Sequence, residues 1–371
     1  MTPQPSLRAA AALVLSALLV ASAAGGADKA PDPLAAEVGR LSSFLETNRS
    51  SAEIWQDVRK SAKPALARIR SAAGEGRRGL ALNRLASVSV NLGAAAYLEE
   101  RTPEQRKDMA AFEDEWARMG EVLKKDLAAA GPNILDGVEP AATRAVGETV
   151  VAQVRPFYES SLEYGRSTMP DAGLFYLGSA QAARDFVRWS RTLSAPSPDA
   201  PPSLRSLAPE LDALEGDLLG TYRPPVSIER HSEFIGASSA LNDARKLDAA
   251  GLRYGALLRY LQASQRTRLL RSAPAVDAAA LAKSLREMEG RLRSAGGDQS
   301  VGRIFLEAAA EDLAAAKTAA PGPGTPPPGA VAGAVLQDVM PRYFAALEPA
   351  RPAVARPPAE VTVTLVRWPF T

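Results

Sequence analysis

A helical period that recurs from about residue 33 to residue 347, broken repeatedly by Pro and Gly, constrains this chain more than any other feature. The clearest stretch begins at Thr102. Thr stands as N-cap, Pro103 occupies the first turn and Gln105 closes a capping box. Met109, Phe112, Trp116, Met119 and Leu123 then follow at spacings of three and four, and Gly131-Pro132 ends the pattern. Ser50 with Glu53 forms a second capping box, opening a helix through Ile54, Val58, Leu66 and Ile69 that Pro64 is expected to bend. The same reasoning predicts helices over about 33–48, 77–100, 140–166, 170–193, 205–221, 231–247, 248–271, 275–294, 299–318 and 330–347, with Pro156 kinking the one that contains it. Abundant Ala, Leu, Arg and Glu agree with these assignments. The expected fold class is all-α: an irregular antiparallel helical bundle or a short superhelical array of helix pairs, with one short C-terminal β-strand.

The predicted organisation follows from the breaks. Arg8 precedes an uncharged apolar run from Ala9 to Val20 and the small triplet Ala21-Ser22-Ala23, the pattern of a cleavable export signal over residues 1–23. A dozen apolar residues fall short of the ~20 that a membrane-spanning helix needs, so no stable transmembrane segment is expected after cleavage. An N-terminal helical region over 24–193 is followed by a Pro-rich linker over 194–204, and a second helical region over 205–318 by a Pro/Gly-rich linker over 319–329. Residues 330–371 make the last unit, a helix and then a strand. The strand reading rests on the alternating branched residues of Val361-Thr362-Val363-Thr364-Leu365-Val366, which continue into Arg367, Trp368 and Phe370. A terminal strand needs a partner for its backbone groups, in its own domain or at another protein's sheet edge.

Composition removes several function classes. Lys and Arg total 44 against 42 Asp and Glu, without a basic cluster free of interleaved carboxylates, so nucleic acid is not an expected partner. The absence of Cys excludes disulfides and thiolate chemistry. One His, His231, cannot build a multi-histidine metal site, and no Gly-X-Ser-X-Gly elbow presents a serine to it. Phosphate-binding Gly-rich loops are missing as well, so no cofactor is expected. Arg far exceeds Lys, and with the many Ala and Pro this usage points to the base bias of a GC-rich bacterial genome. Glu113-Asp114-Glu115 is expected to form a solvated face near a helix start.

Two short segments resemble known families. Asp171-Ala172-Gly173-Leu174-Phe175-Tyr176-Leu177-Gly178-Ser179 is echoed by Asp248-Ala249-Ala250-Gly251-Leu252-Arg253-Tyr254-Gly255-Ala256, and the second continues through Leu257, Leu258, Tyr260 and Leu261. This resembles a tetratricopeptide-type helix pair, which implies close-packed helices with aromatics in the groove between them. Tyr158-Glu159-Ser160-Ser161 resembles the acidic residue and following Ser of lytic transglycosylases, which implies Glu159 as the acid in cleaving a cell-wall glycan.

The expected function is that of a non-catalytic exported interaction or scaffold protein of the bacterial cell envelope, acting on an envelope protein partner. Tyr254, Tyr260, Arg367, Trp368 and Phe370 are its candidate partner contacts. The alternatives are a carboxylate-dependent envelope hydrolase and a binding protein for an apolar small molecule held between helices.

Overall fold

The periodic stretches fold as helices close to where the sequence places them. The computed structural model describes residues 32–48, 53–130, 135, 138, 140–193, 204–223, 228–271, 277–294, 300–316, 327 and 329–348, and no strand occurs among them. The helices are α1 (Pro33–Thr47), α2 (Glu53–Gly74), α3 (Arg78–Glu99), α4 (Met109–Ala130), α5 (Ala141–Ser167), α6 (Pro170–Arg191), α7 (Ala208–Thr221), α8 (His231–Ala249), α9 (Arg253–Leu270), α10 (Ala278–Ser294) and α11 (Val301–Ala315). The last helix has three parts: α12 (Ala330–Ala334), a π-helical turn (Val335–Val339) and α13 (Met340–Leu347). Each buries the stripe its period defines; in α1 this is Leu34, Val38, Leu41 and Leu45.

Helices α5 and α6 pack as an antiparallel pair, and α6 also lies along α3, which in turn meets α2. Helices α8 and α9 form the second close pair, flanked by α7. Contacts of α5 with α9 and of α3 with α11 join these groups, so one cluster of buried residues runs from Leu34 to Ala346. The approach of α6 to α3 depends on Gly178. A Cβ there would stand 2.6 Å from the Cβ of Tyr97 and 3.1 Å from the Cα of Ala94, distances a real side chain cannot hold without shifting the helices.

Buried helix ends are satisfied by charges from other helices. Helix α3 starts after Arg77 and α9 after Leu252, and neither has a local side-chain cap. Glu307 of α11 accepts the N–H of Leu80 at 2.9 Å, and Glu148 of α5 accepts the N–H of Gly255 at 2.7 Å. Asp312 does the same for Ala332 of α12 at 2.9 Å. At the start of α7, Asp248 of α8 accepts from Leu207 N–H at 3.1 Å and from the Ser206 hydroxyl at 2.6 Å. Arginines serve the opposite ends: Arg59 donates to the carbonyl of Asn48 at 2.8 Å, Arg230 to that of Leu270 at 2.8 Å, and Arg205 to that of Glu348 at 3.0 Å.

Two expectations change. The capping box at Thr102 forms, with Thr102 N–H donating to Gln105 at 2.9 Å, but it closes an isolated turn. The helix itself starts at Met109, where Asp108 accepts from Ala110 and Ala111 N–H. The two echo segments occupy different structures: Gly173 lies inside α6, whereas Gly251 adopts a left-handed φ of 77° in the turn between α8 and α9. The echo is therefore not a structural repeat of the tetratricopeptide kind. Pro64 and Pro156 both sit within continuous helices, α2 and α5. The expected C-terminal strand falls in 349–371, outside the described residues.

Two substitutions test this packing. Glu148→Ala takes the acceptor from the buried Gly255 N–H and removes the carboxylate that pairs with Arg144, and is expected to cost about 2–4 kcal/mol by urea unfolding, with Glu148→Gln, which keeps an acceptor, costing less. Gly178→Ala should destabilise by about 1–3 kcal/mol through overpacking. By contrast, Gly216→Ala in α7, where a Cβ meets nothing within 4 Å, should stabilise by up to about 1 kcal/mol.

Candidate functional site

Of the residues singled out in the sequence, Tyr254 and Tyr260 both lie on α9. Tyr254 is 6% exposed and Tyr260 2% exposed, so both rings are used inside the chain. Tyr254 lies under the Arg144 guanidinium, 5.0 Å from its ring centre, and the Tyr260 hydroxyl accepts from Arg342 at 3.3 Å. Arg342 also pairs with Asp217 at 2.6 Å and Asp338 at 3.2 Å, tying α13 to α7 and to the π-helical turn, where Asp338 accepts from Ser264 of α9. Arg367, Trp368 and Phe370 lie outside the described residues. His231 is exposed at the start of α8, with its Nδ1 2.8 Å from the Tyr222 hydroxyl.

The Tyr158–Ser161 segment divides its side chains between packing and solvent. Tyr158 stacks on Trp116 with ring centres 4.8 Å apart, and each side chain hydrogen-bonds the other residue's carbonyl at 3.2 Å. Glu159 faces solvent, paired with Arg155 at 2.6 Å, while Ser161 turns inward and donates to the Tyr158 carbonyl. Ser160, the serine that directly follows Glu159, is half-buried.

Sequence reasoning missed the carboxylates with the most unusual surroundings. Burial raises the Glu148 and Glu307 carboxyls above the usual range, against the pull of Arg144 and Gly255 N–H on the first and of Leu80 N–H and Arg303 on the second. In Asp248, burial is overcome by Ser206, Arg253 and Leu207, and the net direction is down. These acids are all committed to helix starts. For two of them a signal was present: Glu148 and Glu307 are acids at the end of apolar runs, Ala145-Val146-Gly147-Glu148 and Phe305-Leu306-Glu307, and each serves a helix whose own first residues lack a good cap.

Three concave surfaces stand out. The largest, about 960 Å³, opens between α1, α3, α4 and α6, with Phe44, Phe112 and Leu174 beside Arg101, Glu115 and Arg118. Its charges are matched: Glu115 accepts from Arg101 at 2.7 Å, from Arg118 at 2.6 Å and from the Tyr97 hydroxyl. Burial pushes the Glu115 carboxyl up, but these donors prevail and hold it at about 2. The acidic triplet expected to be a solvated face is thus split, Glu115 serving this cluster and Glu113 pairing across to Arg166 of α5 at 2.8 Å.

A shallower groove of about 460 Å³ runs between α7 and α8, lined by Leu218, Leu219, Phe234 and Ile235 with Glu215 and Arg245 at its edge. Leu219 and Ile235 are 61% and 51% exposed. Beside it, Tyr222 stacks on Phe234 with ring centres 4.2 Å apart. The third surface is a polar cleft of about 300 Å³ between α3, α5 and α9, lined by Asn83, Gln153, Arg259, Gln262, Gln265 and Arg266 among others. Among the described residues no group of three or more acidic, His or Cys side chains is placed to hold a metal, and no helix is long and apolar enough to cross a membrane.

Because the Glu115 carboxyl lies below its ordinary 4.5 in the folded state, the stability it contributes is complete above that value and is lost as pH falls towards 2. Glu115→Gln should therefore melt below the wild type at pH 7, with the gap narrowing in thermal scans between pH 5 and pH 3. No protein-family model matches the chain, and neither a curated protein nor a solved structure matches it.

Proposed function

We propose that this chain is a non-catalytic helical interaction protein of the bacterial envelope, exported by its N-terminal leader and engaging a protein partner through the α7–α8 groove. The exposed apolar side chains of Leu219 and Ile235 in one groove carry this reading. Large apolar residues grouped in a concave surface and rimmed by charge are the usual composition of a docking site. The use of the acids supports it as well. A glycan-cleaving acid must be raised in pKa and reach substrate, whereas the raised carboxyls of Glu148 and Glu307 are buried against helix starts. Charged residues line the largest cleft, a poor match to an apolar small molecule.

Affinity purification of the exported chain from its own envelope fraction tests the proposal. The wild type is compared with Leu219→Asp/Ile235→Asp and with a chain ending at Pro358. A protein captured by the wild type and lost from the double variant, which circular dichroism should show to be folded, is the expected result. Loss on truncation alone would move the contact to the segment holding Arg367, Trp368 and Phe370. An empty eluate from all three would overturn the interaction reading.

A further inference from the structure

The polar cleft between α3, α5 and α9 differs in kind from the other two. Its lining includes two arginines, Arg259 and Arg266, and contains no Asp or Glu. Asn83, Gln153, Gln262 and Gln265 supply carboxamides that both donate and accept.

The two cations are incompletely matched. Arg259 donates to the Gln262 carboxamide oxygen at 2.9 Å, but its Nε is buried without a hydrogen-bond acceptor in the protein. The Asp243 carboxylate stands 4.0 Å from that Nε, beyond hydrogen-bond reach and on a part-exposed side chain of α8. Burial depresses the Arg259 pKa, Asp243 opposes this, and the like charge of Arg266 adds to it. Arg266 forms no ion pair among the described residues. Its guanidinium lies across Gly236 of α8, where a Cβ would stand 2.0 Å from Nη1. Two like charges lining one concave surface repel each other, and a bound anion relieves that repulsion.

We infer that this cleft is a binding site for a small oxyanion-bearing ligand of the phosphate or carboxylate class, with Arg259 and Arg266 on the oxyanion and the carboxamides on the ligand's remaining polar atoms. Guanidinium forks match oxyanion geometry, and a cleft of about 300 Å³ takes a ligand of roughly monosaccharide size. This site lies on helices other than those of the α7–α8 groove and does not depend on the interaction reading.

The test is titration calorimetry on the exported chain at constant ionic strength, with chloride as the balancing anion. The probes are inorganic phosphate, glucose 6-phosphate, glucuronate and glucose. Phosphate, the phosphate ester or glucuronate should bind, with glucose silent, and the stronger of the first three identifies the oxyanion. Arg259→Gln and Arg266→Gln should each weaken binding at least tenfold, while Arg155→Gln, on the exposed face of α5, leaves it unchanged. Circular dichroism accompanies each variant; if Arg259→Gln fails to fold, the exposed Arg266→Gln and the amide variant Gln153→Leu carry the test. Absence of binding by all three anions, equal binding of glucose, or unchanged affinity in Arg266→Gln and Gln153→Leu would overturn the inference.

Discussion

Every long helix packed into a common core brings its unpaired end groups with it, and meeting those groups is the constraint on which this structure depends. Water cannot reach the first-turn N–H groups of α3 and α9 where they are buried, and their preceding residues, Arg77 and Leu252, supply no cap. Acids from helices far away in sequence take that place, Glu307 from 227 residues beyond Leu80 and Glu148 from 107 residues before Gly255. The bond therefore does two things at once: it satisfies a helix end and fixes the position of one helix against another. Arg144 and Arg303 then neutralise the buried carboxylates, so the charge that points at the helix dipole is itself paired.

The same device recurs around the molecule with both signs. Acids serve helix starts at α7 and α12, and arginines serve helix ends at α1, α9 and α13. In a chain without Cys, these directional contacts take on the task of specifying how helices pair, which apolar packing alone does loosely. They also explain why buried carboxylates with raised pKa values are poor candidates for chemistry here, since their lone pairs are already occupied. Among the described residues, what remains open to a ligand or partner lies at the clefts, where side chains face solvent from two to four helices at a time.

Much of the fold was legible along the chain, and much less of the surface. The stripe of Met109, Phe112, Trp116, Met119 and Leu123 marks α4 without reference to anything distant, yet the capping box just before it closes a separate turn, because Asp108 offers a cap nearer to the apolar period. The paired segments containing Gly173 and Gly251 read alike as sequence and fold differently, since one follows its turn as the first part of α6 and the other is the turn. Arg259 and Arg266 carry no motif: seven residues apart on α9, they line one cleft only because α3 and α5 pack beside that helix.

By itself the sequence determined the helical class, the approximate helix limits and the faces that turn inward. Those follow from contacts within a turn or two of the chain, which leave a period and a set of breaks in the residue order. Only the tertiary structure decided which acid meets which helix start, that Tyr254 and Tyr260 are interior, and where apolar and cationic side chains gather at the surface. Such pairings join residues a hundred or more positions apart and recur with no period, so no local pattern encodes them.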